Sequence, residues 1–183
     1  MLDFEIRNIL KTTLLHKYYA DTTSKVVEEF EIPAAKARID MAVINGYMHG
    51  YEIKSSRDTL QRLPSQLNAY SKVFDYLSVV TENKYENKLL TLLPDWVGIY
   101  SCTENGVVSM LRASSKNNNK EAFHIAKLLW RPELIELLTI NNIKFKKAER
   151  NWLLCENLAQ HLELSLLENS VRQILKNRTN WKL

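Results

Sequence analysis

The chain has 183 residues, 45% hydrophobic and 25% charged, with a formal net charge of +4. This balance excludes a disordered chain, and the length allows one domain with an appendage or two small domains around a buried core. No apolar run approaches the roughly 20 residues of a membrane helix, and the amphipathic, acid-containing N-terminus argues against a leader peptide, so a cytoplasmic protein without a membrane partner is expected. Cys102 and Cys155 lie far apart without zinc-ligand spacing and read as ordinary buried thiols. Charge is uneven: residues 116–183 hold 12 Lys and Arg against 7 Asp and Glu, and the preceding residues hold 13 against 14. A near-neutral body with a basic tail region is compatible with nucleic acid, because phosphate contacts dominate non-specific affinity, and equally with a solvated surface.

In chain order, Phe4, Ile6, Ile9, Leu10, Leu14 and Tyr18 recur at helical spacing and predict a packed first helix over residues 3–19. Asp21 to Ser24 offers capping oxygens for a second, short helix from Lys25 to Phe30, which carries Glu28 and Glu29 and ends before Pro33. A β-tolerant run from Ala37 to Ile44 meets the hairpin signal Asn45-Gly46, and a second run closes on Glu52-Ile53-Lys54. Here register decides the chemistry. A two-residue Asn-Gly loop would pair Asp40 with Tyr51 and leave Glu52 on the opposite face. A three-residue loop, or a bulge at Gly50, sets Asp40 opposite Glu52 with Lys54 on the same face, and one of these two irregularities is predicted.

A helix from about Pro64 to Phe74 then brings Gln66 and Tyr70 onto one face, and Tyr76 to Thr81 reads as a buried strand. Beyond it lie a helix over Tyr85–Leu93 and a hairpin around Glu104-Asn105-Gly106. The polar run from Ser114 to Lys120 reads as a linker, which would divide the chain into a core, residues 1–115, and a helical C-terminal region, residues 116–183. That region is read as four helices: Glu121–Trp130, Pro132–Ile140, Ala148–Leu162 and Leu164–Trp181. Lys144, Lys146, Lys147 and Arg150 cluster at one loop, and Arg172, Lys176, Arg178 and Lys182 mark the end of the last helix. Trp130, Trp152 and Trp181 read as helix-packing residues, and the apolar helix faces would either dock on the core or form a homodimer.

Asp40 and Glu52 would supply carboxylates, and Ile53 a backbone carbonyl, to a hard cation such as Mg2+, with Mn2+ as a substitute. Lys54 would neutralise charge or orient a nucleophile, and Glu29, or else Glu28, would complete the metal shell. Asp40 as a hairpin-edge acid and Glu52 with Lys54 as a cross-strand pair is the plainer alternative.

These residues resemble the PD-(D/E)xK phosphodiesterase superfamily: Asp40, then Glu52-Ile53-Lys54, preceded by Glu29 and followed by the helix bearing Gln66 and Tyr70 and the strand Tyr76 to Thr81. Nearly the whole chain is similar to a group of uncharacterised bacterial and phage proteins of that superfamily, through GYEIKSSRDTLQRLPSQLNAY, PDWVGIY, LLWRPEL and the closing Arg178 to Trp181. It departs from the pattern in having Ile39 before the aspartate. The resemblance implies an α/β fold, a restriction-endonuclease-like core with a mixed central sheet flanked by helices. It also implies a Mg2+-dependent nuclease acting on DNA rather than RNA, with Asp40, Glu52, Lys54, Glu29 and Gln66 catalytic and Asp58, Arg62 and Tyr70 at the substrate. A non-catalytic binding or assembly module that keeps the fold is the rival expectation.

Overall fold

The computed structural model describes residues 1–181, so Lys182 of the basic tail lies outside the described residues. Six strands form one sheet in the order β1 (Lys25–Ile32), β2 (Ala37–Ile44), β3 (Met48–Lys54), β4 (Tyr76–Thr81), β5 (Gly98–Cys102) and β6 (Val108–Arg112). The first three strands run antiparallel, β3, β4 and β5 run parallel, and β6 returns antiparallel on β5. The parallel steps need crossovers, supplied by α3 (Leu63–Ser71) and α4 (Glu86–Leu92). One sheet face is covered by α1 (Asp3–Thr12) and α2 (His16–Ala20), whose Ile6 and Leu10, with Leu15 between them, pack on Met41, Val43, Tyr51 and Ile53. The other face is covered by α3 and by the C-terminal helices α5 (Ala122–Ala126), α6 (Arg131–Ile140), α7 (Asn151–His161) and α8 (Leu164–Asn177). This is a mixed α/β sheet flanked by helices on both faces, and no described helix is long and apolar enough to cross a membrane.

The segment read as a short helix over Lys25–Phe30 is strand β1 instead. The oxygens that looked like a helix cap close a turn: Asp21 Oδ1 accepts the Thr23 N–H, and Oδ2 accepts the Ser24 hydroxyl. With the chain turned there, Val26, Val27, Phe30 and Ile32 follow their β preference. Glu29 interrupts the strand with φ 53, and this shifts the phase of the buried residues from Val27 to Phe30 and Ile32. Partner strand β2 makes the matching slip, its core-facing residues being Ile39 and then Ala42 and Ile44.

The run read as a linker packs on the core. Asn117 is buried, and its side-chain amide donates to the carbonyls of Ser71 (2.5 Å) and Phe74 (2.8 Å), while Lys120 pairs with Asp75 and Glu168. The run is a strap hydrogen-bonded to the core, and one apolar cluster continues from β1 through α3 into α6, α7 and α8. Two cations of the tail are likewise interior. Arg172 faces Asp75 and Glu168, and Arg178 donates to Glu133 while lying over the rings of Trp130 and Trp181.

Candidate active site

The hairpin between β2 and β3 closes through three residues, Asn45, Gly46 and Tyr47, with Ile44 paired to Met48. Tyr47 N–H donates to the Asn45 side chain at 3.0 Å and Asn45 N–H to the Tyr47 carbonyl at 3.0 Å. Of the two predicted irregularities the loop is the one adopted. Gly50 pairs in register with Ala42, without a bulge, and its bare Cα admits Ile39, whose Cδ1 would lie 2.5 Å from an added Cβ. The pairing ends at Met41 and Tyr51, and continuing the same register brings Asp40 across from Glu52. There the Asp40 carboxylate substitutes for the ladder: its Oδ2 accepts the Ile53 N–H at 2.6 Å.

Glu52 is 2% exposed, and a buried carboxylate must be hydrogen-bonded. Lys54 Nζ at 2.6 Å and Gln66 Nε2 at 2.7 Å both donate to Oε1, and the Tyr70 hydroxyl donates to Oε2 at 2.7 Å. Strand alternation puts Lys54 beside Glu52, and the i, i+4 spacing on α3 aims Gln66 and Tyr70 at the same group. Burial, then the negative charge of Glu52, holds the Tyr70 phenol well above its ordinary range, so it remains a donor. Its one hydrogen has a second acceptor in reach, the Arg38 carbonyl at 2.8 Å.

Asp40 is strained electrostatically. Burial first, and the neighbouring Glu52 charge second, push its carboxyl up to about 7, against the Ile53 N–H and the Arg7 guanidinium, which favour ionisation. Arg7, on α1, is the residue that the sequence did not disclose. It reaches Glu29 at 2.5 Å, Asp3 at 2.9 Å, Asp40 at 3.4 Å and Glu28 at 3.8 Å. The i, i+4 pair of Asp3 and Arg7 was visible on the polar side of the first helix, but only the docking of α1 brings it here.

Arg7, Asp40, Glu52, Lys54 and Gln66 line a cleft of about 910 Å³, together with Asp58, Arg62 and Ser65. The structure gives three of the expected site residues other surroundings. Glu29 lies on β1 rather than on a helix, and its carboxylate is held by Arg7 and Arg38, not turned to Asp40 and Glu52 as a third ligand. Tyr70 is fully buried behind Glu52, where it positions that carboxylate and does not line the cleft. Asp58 lines the cleft but accepts the Ser55 N–H and hydroxyl, both at 2.8 Å, and so caps the turn after β3, whereas Arg62 is exposed at the lip.

Among the described residues no three His, Cys, Asp or Glu side chains form a metal-holding group. The donor set that remains is Asp40, Glu52 and the Ile53 carbonyl. Two mutually repelling carboxylates and a carbonyl are hard oxygens, the donor type that a divalent cation completed by water would take.

Fold and cleft together define a mixed α/β protein with a carboxylate and lysine site at the splayed end of an antiparallel hairpin. The family profile described as bacteriophage P4 protein cII matches residues 4–182, and the chain belongs to that family. Protein cII of Enterobacteria phage P4 is 27% identical over 171 residues, which are 90% of this chain and 63% of the phage protein, so the chain spans less than two thirds of that relative. A solved structure, the SPO1766 protein of unknown function from Silicibacter pomeroyi, is similar at 19% identity and TM-score 0.44, covering 73% of this chain and 90% of its own.

Proposed function

We propose that this chain is a metal-dependent nuclease that hydrolyses phosphodiester bonds, with a restriction-endonuclease-like core of the PD-(D/E)xK type. The supporting observation is the convergence, through the three-residue loop, of Asp40, Glu52 and Lys54 on one cleft. Asp40 and Glu52 would hold Mg2+ or Mn2+, which when bound supplies a polarised phosphoryl oxygen and an acidified water. Lys54 carries its positive charge to the carboxylate pair, where it can offset charge that develops on the phosphate. Gln66 and Tyr70 fix the Glu52 carboxylate, and Arg62 at the lip is free to meet the substrate backbone. DNA as the substrate rests on the superfamily resemblance.

The test is cleavage of plasmid, single-stranded DNA and RNA with Mg2+ or Mn2+. Asp40→Ala and Lys54→Ala are each expected to lower the rate by about a hundredfold or more without unfolding the chain. Absence of cleavage of every nucleic acid form with both metals rejects the reading. A second reading, a non-catalytic nucleic-acid-binding or assembly module, is favoured by one observation: Glu52 is already satisfied by three internal donors, with Lys54 buried beside it. Binding of nucleic acid without cleavage, unaffected by Asp40→Ala, would select it.

A further inference from the structure

We propose that the loop from Lys144 to Arg150, with Trp152 beside it, binds a single-stranded stretch of nucleic acid through its phosphates and one base. The cluster was visible in the sequence; the structure adds how it is presented. Ile143 and Phe145 tuck against the core, while Lys144, Lys146, Lys147 and Arg150 are exposed. None of these four takes part in an ion pair among the described residues, in contrast to Lys120, Arg172 and Arg178. Glu149 is the one acid within the loop.

The loop is nevertheless held in one shape by neutral acceptors. Arg131 donates to the carbonyls of Lys147 (2.5 Å) and Glu149 (2.8 Å) and to the Asn151 side chain (2.6 Å). Asn157 donates to the Lys144 carbonyl at 2.8 Å, and the Glu149 N–H closes a turn on the Lys146 carbonyl at 3.0 Å. The loop is therefore ordered before any partner arrives, with its cations left free for phosphates, which lowers the entropic cost of binding. Trp152, predicted as a packing residue, is 44% exposed in the first turn of α7, where an unpaired base can stack on it.

Position supports the same partner. A second groove, of about 600 Å³, is rimmed by Arg131 and Asn151 and shares Glu29, Glu31, Pro33 and Arg38 with the carboxylate cleft, so the two are continuous. The β1 wall of that groove carries Glu28, Glu29 and Glu31; the first two are paired with Lys11, Arg7 and Arg38, and Glu31 is exposed. The opposite wall carries Lys127 and Arg131 and ends at Asn151, next to the loop's Arg150, so a polyanion leaving the exposed Glu31 side meets cations there.

The experiment is fluorescence anisotropy of a labelled single-stranded oligonucleotide, its duplex and heparin, with the full chain in EDTA, so that binding is read apart from any cleavage. The triple variant K144Q/K146Q/K147Q is expected to weaken single-strand binding at least tenfold and to flatten the logarithmic salt dependence by about 2, for three phosphate contacts at about 0.7 each. Trp152→Ala is expected to weaken the single strand about tenfold and the duplex little, with Trp152→Phe restoring most of the loss. All four positions are exposed, so melting temperatures should match the parent. Unchanged affinity and salt slope in the triple variant overturn the proposal. So does absence of binding by the parent, or a Trp152→Ala variant that binds oligonucleotide and heparin as the parent does.

Discussion

Replacing Tyr70 by Phe removes one oxygen from the best-enclosed part of the site. The hydroxyl lies 2.7 Å from Glu52 Oε2 and 2.8 Å from the Arg38 carbonyl, and with one hydrogen to give it serves the charged acceptor. Glu52 is 2% exposed, so no water can replace the lost donor without repacking. A hydrogen bond to a charged group contributes about 1.5–3 kcal/mol, and Lys54 and Gln66 remain on Oε1, which sets the expected loss near 2 kcal/mol. In a domain of this size that lowers the melting temperature by about 4–8 °C. Urea unfolding should show a lower midpoint at unchanged m-value. A loss below about 0.5 kcal/mol would mean that the hydroxyl is turned to Arg38 or that Glu52 is not ionised, and the account of how Glu52 is positioned would fail.

The Asp40 carboxyl titrates at about 7, above its ordinary value of 3.8, so with metal chelated its contribution is favourable below that ordinary value and is lost as pH rises toward 7. Asp40→Asn should remove this loss and gain stability over the parent at pH 8 relative to pH 5, by at most about 3 kcal/mol, since only the part of the displacement from pH 5 to about 7 falls in that window; thermal melts in EDTA that show the same difference at both pH values reject it. At Gly50 an added Cβ would meet Ile39 Cδ1 at 2.5 Å and Leu77 and Phe74 at 3.2 Å, so Gly50→Ala should cost about 1–3 kcal/mol. Adding Ile39→Val, which removes Cδ1, should recover part of that; additive losses in denaturation would show that the contact is not the cause.

The site's skeleton was legible because strand alternation is rigid: Asp40, Glu52 and Lys54 could meet only in one register, and that requirement forces an irregular hairpin. The α3 pair Gln66 and Tyr70 was legible for the same reason, one helical turn apart on one face. What failed was local chemistry with two outlets. Asp21 to Ser24 can cap a helix or close a turn, and only pairing with β2 makes Lys25–Ile32 a strand. The asparagine run looked loose because nothing in its composition shows that the Asn117 amide finds the end of α3. Arg7 and Trp152 depended on helix docking, which brought one into the cleft and left the other in solvent.

The most direct measurement of the central claim is a calorimetric titration of the chain with Mn2+ and Mg2+, beside its Asp40→Asn variant. The account predicts one divalent ion per chain, bound more tightly as pH rises through about 7, when Asp40 ionises, and lost in the variant. No binding of either metal, or binding that Asp40→Asn leaves unchanged, would contradict it.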